Sequence, residues 1–250
     1  MYKKIMSIKD IIRFTMNIND LCKVLKLEEP VISLSESSSY VEFEPVMRPK
    51  LNQCIWASYR DWKNGKTLVL SKKRYGCRGG ARFLLGFEME DFNLKNFLYE
   101  EEGLKSSLEM TEEWIKNMIR YCPKKEYVLI GPFKEDHLEK AISFTFLVNP
   151  DQLSALIHGA LYFSPEMIPE LIKTTVSAGC GLLASFTTYN EPQAFIGAVD
   201  MAMRHHIPLC LLAFTVNKLM LDKLLSLDGK SFLYKSFWKR LIKERLPIKT

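Results

Sequence analysis

The chain has 250 residues, of which 47% are apolar and 26% are charged, and this composition predicts a folded core and excludes an intrinsically disordered protein. No run of about 18 apolar residues occurs, so the sequence predicts no membrane-spanning helix, and polar residues within segment 1–26 argue against a secretory signal. The net charge of +6 resides entirely in segment 230–250, so the rest of the chain is neutral and offers no general surface for nucleic acid.

Hydrophobic periodicity and turn residues divide the chain into alternating helices and strands. Asn64-Gly65 ends one helix as a C-terminal cap, Thr111 opens another, and Pro150 occupies the first turn of a third. The Ser-rich segment 35–39 is predicted to be a loop. In chain order, the predicted helices cover residues 8–27, 50–63 and 111–121 and a segment that starts at residues 149–151, and the predicted strands cover residues 31–34, 67–71, 127–130 and 142–148. This alternation predicts an α/β or α+β fold in which residues 1–229 form one compact domain.

Two stretches of the chain follow the same plan of strand, helix, extended segment and glycine–cysteine turn. Residues 48–62 resemble residues 149–163, and the turn around Cys77 resembles the turn around Cys180. The similarity predicts internally duplicated βα units, with repeat halves at about residues 30–90 and 142–215 and the two cysteine turns facing each other across a pseudo-twofold axis. Chance similarity between two generic strand–helix units is the alternative interpretation.

An acidic segment with interspersed aromatic residues covers residues 88–108. This composition is typical of a solvated loop and helix edge, so we expect its acidic side chains to face water. A lid over a binding site is the alternative.

The six cysteines are candidate functional groups. Without a predicted secretory signal, we expect them to be reduced thiols in the cytoplasm rather than a disulfide framework. Cys77 and Cys180 lie in glycine turns, where free backbone N–H groups at a helix start lower the pKa of a thiol. Cys22 and Cys210 lie in apolar periodic runs and are predicted to be core residues. Burial as small core residues is the alternative for Cys77 and Cys180 as well.

The other sequence patterns give weaker indications of a functional site. His205 and His206 are predicted to cap a helix end, and His158 lies on the helix after residue 150. The zinc-protease, serine-hydrolase and Walker signatures do not occur in the sequence. The glycines at positions 76, 79 and 80, with Arg78 and Arg82, could cradle a phosphate, but the Lys-Ser/Thr pair of a P-loop is missing.

Segment 230–250 is predicted to form a basic C-terminal helix beyond the domain. Leu233, Phe237 and Leu241 repeat at helical spacing, with basic residues on the other face. We predict that these three side chains are buried on the body of the protein or on a second subunit, with Lys239 and Lys243 in solvent. Binding of the helix to an anionic membrane or to a partner groove is the alternative.

Three segments together carry a family resemblance: residues 77–86 (CRGGARFLLG), 129–133 (LIGPF) and 146–157 (FLVNPDQLSALI). Over residues 30–227, the chain resembles the cysteine-rich archaeal and bacterial family called domain of unknown function 169. The resemblance implies functional cysteines at the positions of Cys54, Cys77 and Cys180, and it implies no particular activity. Around Arg204 the sequence departs from the polar, acidic pattern of the family, which argues against a contribution of that segment to the site.

Three hypotheses about function follow. In the first, Cys54, Cys77 and Cys180 bind a metal, foremost an iron–sulfur cluster for redox chemistry, or zinc with His158 or water as the fourth ligand. In the second, Cys77 or Cys180 is the nucleophile of an enzyme that acts on a small anionic substrate held by Arg78 or Arg82. In the third, the protein binds a ligand or partner without catalysis and without a cofactor.

The predicted ligand-binding residues are Gly76, Arg78, Gly79, Gly80, Gly179 and Gly181. The glycines would let a ligand approach the backbone closely. The expected partners are a small molecule or a redox protein, with a homo-oligomer as a further expectation and no specific nucleic acid.

Overall fold

The computed structural model describes residues 16–87, 92–118, 120–166, 170–174, 180 and 190–245. In these ranges, helices cover both faces of an eight-stranded sheet, which confirms the predicted α/β fold class. None of the helices in this part of the chain has the length and apolar character needed to cross a membrane.

The strands alternate with helices along much of the chain. The strands are β1 (Ile32–Ser37), β2 (Val46–Met47), β3 (Thr67–Leu70), β4 (Tyr127–Pro132), β5 (Ala141–Val148), β6 (Ile172–Thr174), β7 (Ala194–Gly197) and β8 (Leu212–Asn217). The helices are α1 (Ile18–Leu25), α2 (Tyr59–Lys63), α3 (Gly80–Leu84), α4 (Leu94–Asn96), α5 (Leu108–Lys116), α6 (Pro150–Leu161), α7 (Met201–Arg204), α8 (Lys218–Leu225) and α9 (Ser236–Arg245).

The sheet has an approximate twofold symmetry in its strand order, which is β2-β3-β4-β1-β5-β8-β7-β6. The two central strands, β1 and β5, pair antiparallel, and each half then continues with two antiparallel pairs and ends in a parallel pair. The symmetry makes β1 to β4 equivalent to β5 to β8 in chain order. A duplication as the origin of this symmetry stays a prediction.

The strand order gives a different equivalence of cysteines from the one predicted. Cys54 lies between β2 and β3, and Cys180 lies between β6 and β7, so these two cysteines occupy equivalent connections. The connection after β3 carries Cys77, and its equivalent after β7 carries Asp200. The sequence comparison paired Cys77 with Cys180 because the two glycine turns look alike, whereas the sheet relates segments by their place between strands.

Each face of the sheet has its own hydrophobic core, because successive side chains of a strand point to opposite faces. On β5, Phe144 and Phe146 pack into the core beneath α1, α6, α8 and α9, and Leu147 packs into the core on the other face. That second core includes Trp56 and Trp62 near α2, and it also contains the cysteines discussed below.

Three predicted elements have different boundaries. β1 extends to Ser37, through serines that are predicted to be loop, because Ser35 pairs with both β4 and β5 and the pairing with β4 continues to Ser37. The predicted helix 50–63 begins only with a 3₁₀ turn at Ile55, since Asn52 has a left-handed backbone (φ 61°) and its N–H donates to the Gly76 carbonyl. α5 starts earlier than predicted because Ser107, not Thr111, is the capping residue.

Two other helices agree with the sequence at their starts or their ends. α6 begins at Pro150, and Asn149 and Gln152 form a reciprocal capping box there. α1 begins at Ile18, capped by Asn17, and ends near the predicted boundary. Residues 8–15 of the predicted first helix lie outside the described residues.

The C-terminal helix α9 docks on the core beneath α1, α6 and α8, but not with the predicted face. Leu233 and Trp238 are buried, whereas Phe237 is 77% exposed, so its predicted burial is wrong. The physical reason is a break in the helix: Leu233 lies in a separate 3₁₀ turn, and α9 starts only at Ser236, so the predicted spacing does not continue through both. Lys239 and Lys243 are exposed, as predicted.

Candidate functional site

A cavity of about 460 Å³ lies on the face of the sheet that carries α2, α3 and α7. Cys54, Cys77 and Cys180 all line this cavity, although they come from three separate segments of the chain. We call this space the cysteine cavity. Much of its remaining wall is apolar and consists of Trp56, Phe83, Leu84, Leu94, Phe97, Leu98, Met118 and Met203. A mostly apolar cavity of this volume with a few polar groups is typical of a small-molecule site.

Gly76 brings the segments of Cys54 and Cys77 together. Its backbone is left-handed, with φ 82°, and a Cβ atom on it would lie 2.9 Å from the Gln53 carbonyl oxygen. The Gly76 carbonyl also accepts a hydrogen bond from the N–H of Asn52 at 3.0 Å. Only glycine tolerates both the left-handed backbone and the close approach of the Gln53 carbonyl oxygen. Gly76 does not itself line the cavity, so its role in the site is structural.

Cys77 carries the strongest thiolate character in the cavity. The pKa of Cys77 is lowered to about 7. The largest cause is a hydrogen bond with the Cys180 thiol, burial opposes it, and the backbone N–H groups of Ala81 and Gly80 add to the lowering. The Ala81 nitrogen lies 3.4 Å from the Cys77 sulfur. Cys180 is buried and donates to a thiolate, so its own pKa is raised well above the usual value. The pair is therefore a thiolate at Cys77 and a protonated thiol at Cys180.

Cys54 is a neutral thiol at the same cavity. Its pKa is raised to about 12. Burial is the largest cause, the N–H of Trp56 opposes it, and the negative charges of Cys77 and Asp200 add to it. Cys54 precedes a 3₁₀ turn instead of lying within the predicted helix. Near neutral pH, Cys77 is therefore the sulfur of the cavity that ionises, whereas Cys54 and Cys180 stay protonated.

The three sulfurs share a cavity without forming a preformed ligand set. Within the described ranges, no group of three His, Cys, Asp or Glu side chains has the arrangement needed to hold a metal ion. The roles of Cys54, Cys77 and Cys180 as metal ligands stay a prediction. His158, the predicted fourth zinc ligand, does not line the cavity, because α6 places it on the other face, where its ring lies 5.5 Å from that of Phe232.

Four titratable residues of the cavity were not predicted from the sequence: Glu102, Asp200, His205 and His206 line it as well. Burial and the neighbouring His205 lower the pKa of His206, and the two imidazole centroids are 3.8 Å apart. Asp200 also caps α7 by accepting a hydrogen bond from the N–H of Ala202 at 2.8 Å. The consecutive histidines were visible in the sequence, but only the fold shows that they meet the cysteines.

The acidic segment after the Cys77 turn contributes a wall of the cavity. Its described part forms α4 and a π-helical turn (Phe97–Glu101), and Leu94, Phe97 and Leu98 face the cysteines. The expectation of a purely solvated segment is wrong for these residues, because their apolar side chains alternate with the acidic ones on the helical turns. Gly79 makes room for this wall: a Cβ atom there would lie 3.1 Å from the Phe97 ring.

The predicted ligand-binding residues divide into three groups. Arg78, Gly79 and Gly80 line the cysteine cavity. Gly76 does not line the cavity, but its turn brings the segments of Cys54 and Cys77 together. Gly179 and Gly181 lie outside the described residues.

Comparison with known proteins supports the resemblance seen in the sequence. A family model named DUF169 and described as uncharacterised ArCR matches residues 20–226. No curated protein and no solved structure matches the chain.

Proposed function

The chain belongs to the DUF169 family, and we propose that it binds a small molecule in the cysteine cavity, where Cys77 acts as a reactive thiolate. The observation that carries the proposal is the position of the Cys77 sulfur, which lines the cavity together with Cys180 and accepts a hydrogen bond from the Ala81 N–H at 3.4 Å. Hydrogen bonds from Cys180, Ala81 and Gly80 lower the pKa of Cys77. Donors of this kind stabilise a thiolate without neutralising it, and the thiolate is the nucleophilic form of cysteine.

The surroundings of Cys77 support an enzymatic role. The Cys77 thiolate would add to an electrophilic double bond of the bound molecule: the C–S bond forms as the π bond breaks, and the atom that receives the electron pair would take a proton from His205 or His206. The apolar wall would exclude water from the reacting atoms. The proposal requires a reducing compartment such as the cytoplasm, in which the six cysteines stay unpaired, as they are in the structure.

Alkylation at graded pH tests this proposal. N-ethylmaleimide is added to the reduced protein between pH 5 and pH 10, values chosen to span the free-thiol range, and each cysteine is quantified by peptide mass spectrometry. The rate at Cys77 should titrate with a midpoint of about 7, whereas Cys54 should react slowly until its pKa of about 12 is approached. Uniform labelling of all cysteines, with a common midpoint near that of a free thiol, would contradict the proposal.

A second candidate function is the binding of an iron–sulfur cluster by Cys54, Cys77 and Cys180, with zinc as the alternative metal. The observation in its favour is that three cysteines from distant segments share one cavity in a chain with six cysteines. Their thiol side chains would have to rotate or shift to coordinate, because the described residues contain no preformed ligand group. The cluster would serve electron transfer with a redox partner or bind a substrate at an open iron.

Purification without oxygen separates the two candidates. A cluster protein should show visible absorbance and contain iron and acid-labile sulfide, and Cys54, Cys77 and Cys180 should all be protected from N-ethylmaleimide until the cluster is removed. The triple substitution of these cysteines by serine should abolish the absorbance, whereas Cys22→Ser and Cys210→Ser should not. A metal-free protein after anaerobic reconstitution with iron and sulfide excludes the cluster and leaves the thiolate proposal standing.

A further inference from the structure

A second, smaller recess adjoins the cysteine cavity. It has a volume of about 230 Å³ and contains three guanidinium groups, those of Arg78, Arg82 and Arg120. Phenylalanine rings, including Phe83, form much of the remaining wall. We call this space the arginine recess. Arg78, Phe83 and Leu94 line both spaces, so the arginine recess and the cysteine cavity share a wall.

Neutral groups hold Arg78 and Arg120 in place. The Arg78 Nε donates to the Asn52 side-chain oxygen at 2.9 Å, and the Arg120 guanidinium lies 4.1 Å above the Phe83 ring. Stacking on a ring and bonding to an amide orient a guanidinium but leave its charge available. Neither Arg78 nor Arg120 takes part in an ion pair in the described part of the chain.

Arg82 completes the recess in a more constrained position. Its guanidinium lies 4.4 Å above the Tyr75 ring and donates to the Tyr75 hydroxyl at 2.7 Å and to the Phe87 carbonyl at 3.1 Å. It adds positive charge to the recess, while much of its hydrogen-bonding capacity is already used. The open donors for a ligand therefore belong to Arg78 and Arg120.

The two spaces differ in charge: acidic residues line the cysteine cavity, and arginines line the arginine recess. The cysteine cavity contains the carboxylates of Glu102 and Asp200, and the Cys77 thiolate is itself negative, so the anionic end of a ligand is repelled from the sulfur. The arginine recess attracts the same group. Arg78 and Arg120 carry like charges at one small recess, and an anion between them lowers their mutual repulsion.

We infer that the ligand of the cysteine cavity is a small molecule with one terminal anionic group, a carboxylate or a phosphate, which Arg78 and Arg120 bind in the arginine recess. Its neutral, reactive end then points toward Cys77. This inference rests on the proposed function in one respect, that Cys77 is the thiolate that the ligand meets. It adds the chemical class of the ligand and its orientation.

Two alkylating reagents that differ by one carboxylate test the inference. N-ethylmaleimide is neutral and 3-maleimidopropionate is anionic, and in both the thiolate adds to the ring double bond, a C–S bond forms, and the neighbouring carbon takes a proton from water. The measured quantity is the ratio of the anionic to the neutral rate at Cys77, divided by the same ratio for 2-mercaptoethanol. We expect about a tenfold preference for the anionic reagent, as one charge-assisted hydrogen bond would give. A change in the pKa of Cys77 affects both reagents and cancels in the ratio.

Charge-matched variants identify the source of the preference. Arg78→Gln with Arg120→Gln should reduce the ratio to that of 2-mercaptoethanol. Lys72→Gln with Lys73→Gln removes two positive charges from a neighbouring basic surface outside the recess and should leave the ratio unchanged. A native ratio equal to that of 2-mercaptoethanol, or an equal loss in both double variants, overturns the inference. Failure of the proposed function has a different signature, a slow rate at Cys77 with the neutral reagent.

Ligand binding provides a readout that does not require a reactive Cys77. Phenyl phosphate and benzoate should raise the melting temperature of the full-length protein, and phenol at the same concentration should not. The rise should disappear in the Arg78→Gln, Arg120→Gln variant and persist in the Lys72→Gln, Lys73→Gln variant. The two anions also separate the phosphate from the carboxylate. Absence of any stabilisation by either anion overturns the inference even when Cys77 is unreactive.

Discussion

At the scale of single residues, the Cys77–Cys180 pair determines the chemistry of the cavity. Removal of the Cys180 donor by Cys180→Ala should raise the pKa of Cys77 toward its ordinary value of 9.0, because the largest cause of the lowering is lost. Cys180→Ser keeps a hydroxyl donor and should preserve most of the effect. The pH dependence of alkylation at Cys77 measures both outcomes.

The matched pair of variants distinguishes hydrogen bonding from packing. Alanine and serine are both smaller than cysteine at this buried position, so a general loosening of the cavity would affect the two variants alike. Equal midpoints in Cys180→Ala and Cys180→Ser would therefore exclude the Cys180 hydrogen bond as the cause of the low pKa.

Stability should depend on pH through Cys77 in a defined window. Its pKa is lower in the folded protein, at about 7, than the ordinary value of 9.0, so its ionisation contributes stability that is fully present above pH 9 and is lost as the pH falls through 7. The raised pKa of Cys54 acts in the opposite direction, and its contribution is lost only above pH 9. The free energy of unfolding should thus rise from pH 7 to pH 9 in the native protein and rise less in Cys77→Ala. Urea denaturation across this range gives the comparison, and parallel curves would contradict it.

The sequence identified part of this residue set for a physical reason. Cys77 and Cys180 were recognisable because each lies in a glycine turn before a predicted helix, and the resemblance to a family added Cys54. His206 and Asp200 could not be assigned, because their meeting with Cys54 and Cys77 depends on the pairing of β1 with β5, which joins the two halves of the sheet. Local patterns predict the chemistry of a turn, and the sheet determines which turns meet.

At the scale of structural elements, the turn before α3 depends on Gly76. Gly76→Ala combines a left-handed backbone with a close approach of the new Cβ to the Gln53 carbonyl oxygen, 2.9 Å away. We expect a loss of about 3 kcal/mol in the free energy of unfolding, from about 1–2 for the conformation and about 1–3 for the contact. We also expect altered alkylation of Cys77, because the turn positions its sulfur.

Gly65 offers a matched control for this prediction. Its φ of 81° nearly equals the 82° of Gly76, but no atom lies within 4 Å of a Cβ built on it. Gly65→Ala should cost about 1–2 kcal/mol and leave Cys77 unaffected. If urea denaturation gives the same loss in the free energy of unfolding for both variants, the contact with the Gln53 carbonyl oxygen adds no cost at Gly76, and the prediction is wrong.

Element boundaries were less predictable than element types, and tertiary contacts explain the differences. The serines of β1 have no strong preference for a strand, yet neighbours on both sides of β1 supply backbone partners. The helical periodicity of residues 50–63 is interrupted where the Asn52 N–H donates to Gly76. In both cases a contact with a distant segment outweighs the local pattern.

At the scale of the whole molecule, charge is segregated more strongly than the neutral body suggests. The basic residues Arg48, Lys72, Lys73, Arg74 and Lys125 line one open surface, and among its described lining residues Glu126 is the acidic one. A sum of charges over the chain cannot reveal such a surface, because acidic residues elsewhere, such as Glu102 in the cysteine cavity, balance it. The sequence predicted the excess in the C-terminal segment correctly and missed the separation within the body.

The C-terminal helix α9 contacts two distant parts of the chain, α1 and α6, and should stabilise the fold through these contacts. The Trp238 indole N–H donates to the carbonyl of Val24 in α1 at 3.3 Å, and Arg245 pairs with Asp151 in α6 at 3.2 Å. A chain that ends at Gly229 loses these contacts and the buried Leu233 and should have a markedly lower melting temperature. Trp238→Ala should cost about 3–5 kcal/mol, most of the effect, because it leaves a cavity beneath α9.

Phe237→Ala is the control within the same helix, because this side chain is 77% exposed, and it should change stability by no more than about 0.5 kcal/mol.

The membrane alternative predicts that Phe237 matters more than Trp238. Phe237, together with the basic residues around it, would insert into anionic vesicles in a salt-sensitive manner. Sedimentation with vesicles that contain phosphatidylserine separates the two. Binding that is lost in Phe237→Ala, combined with an unchanged melting temperature in Trp238→Ala, would show that the helix serves a membrane and not the fold. We expect no vesicle binding at physiological salt, because the side chains that a membrane would need most, Leu233 and Trp238, already pack against the body of the protein.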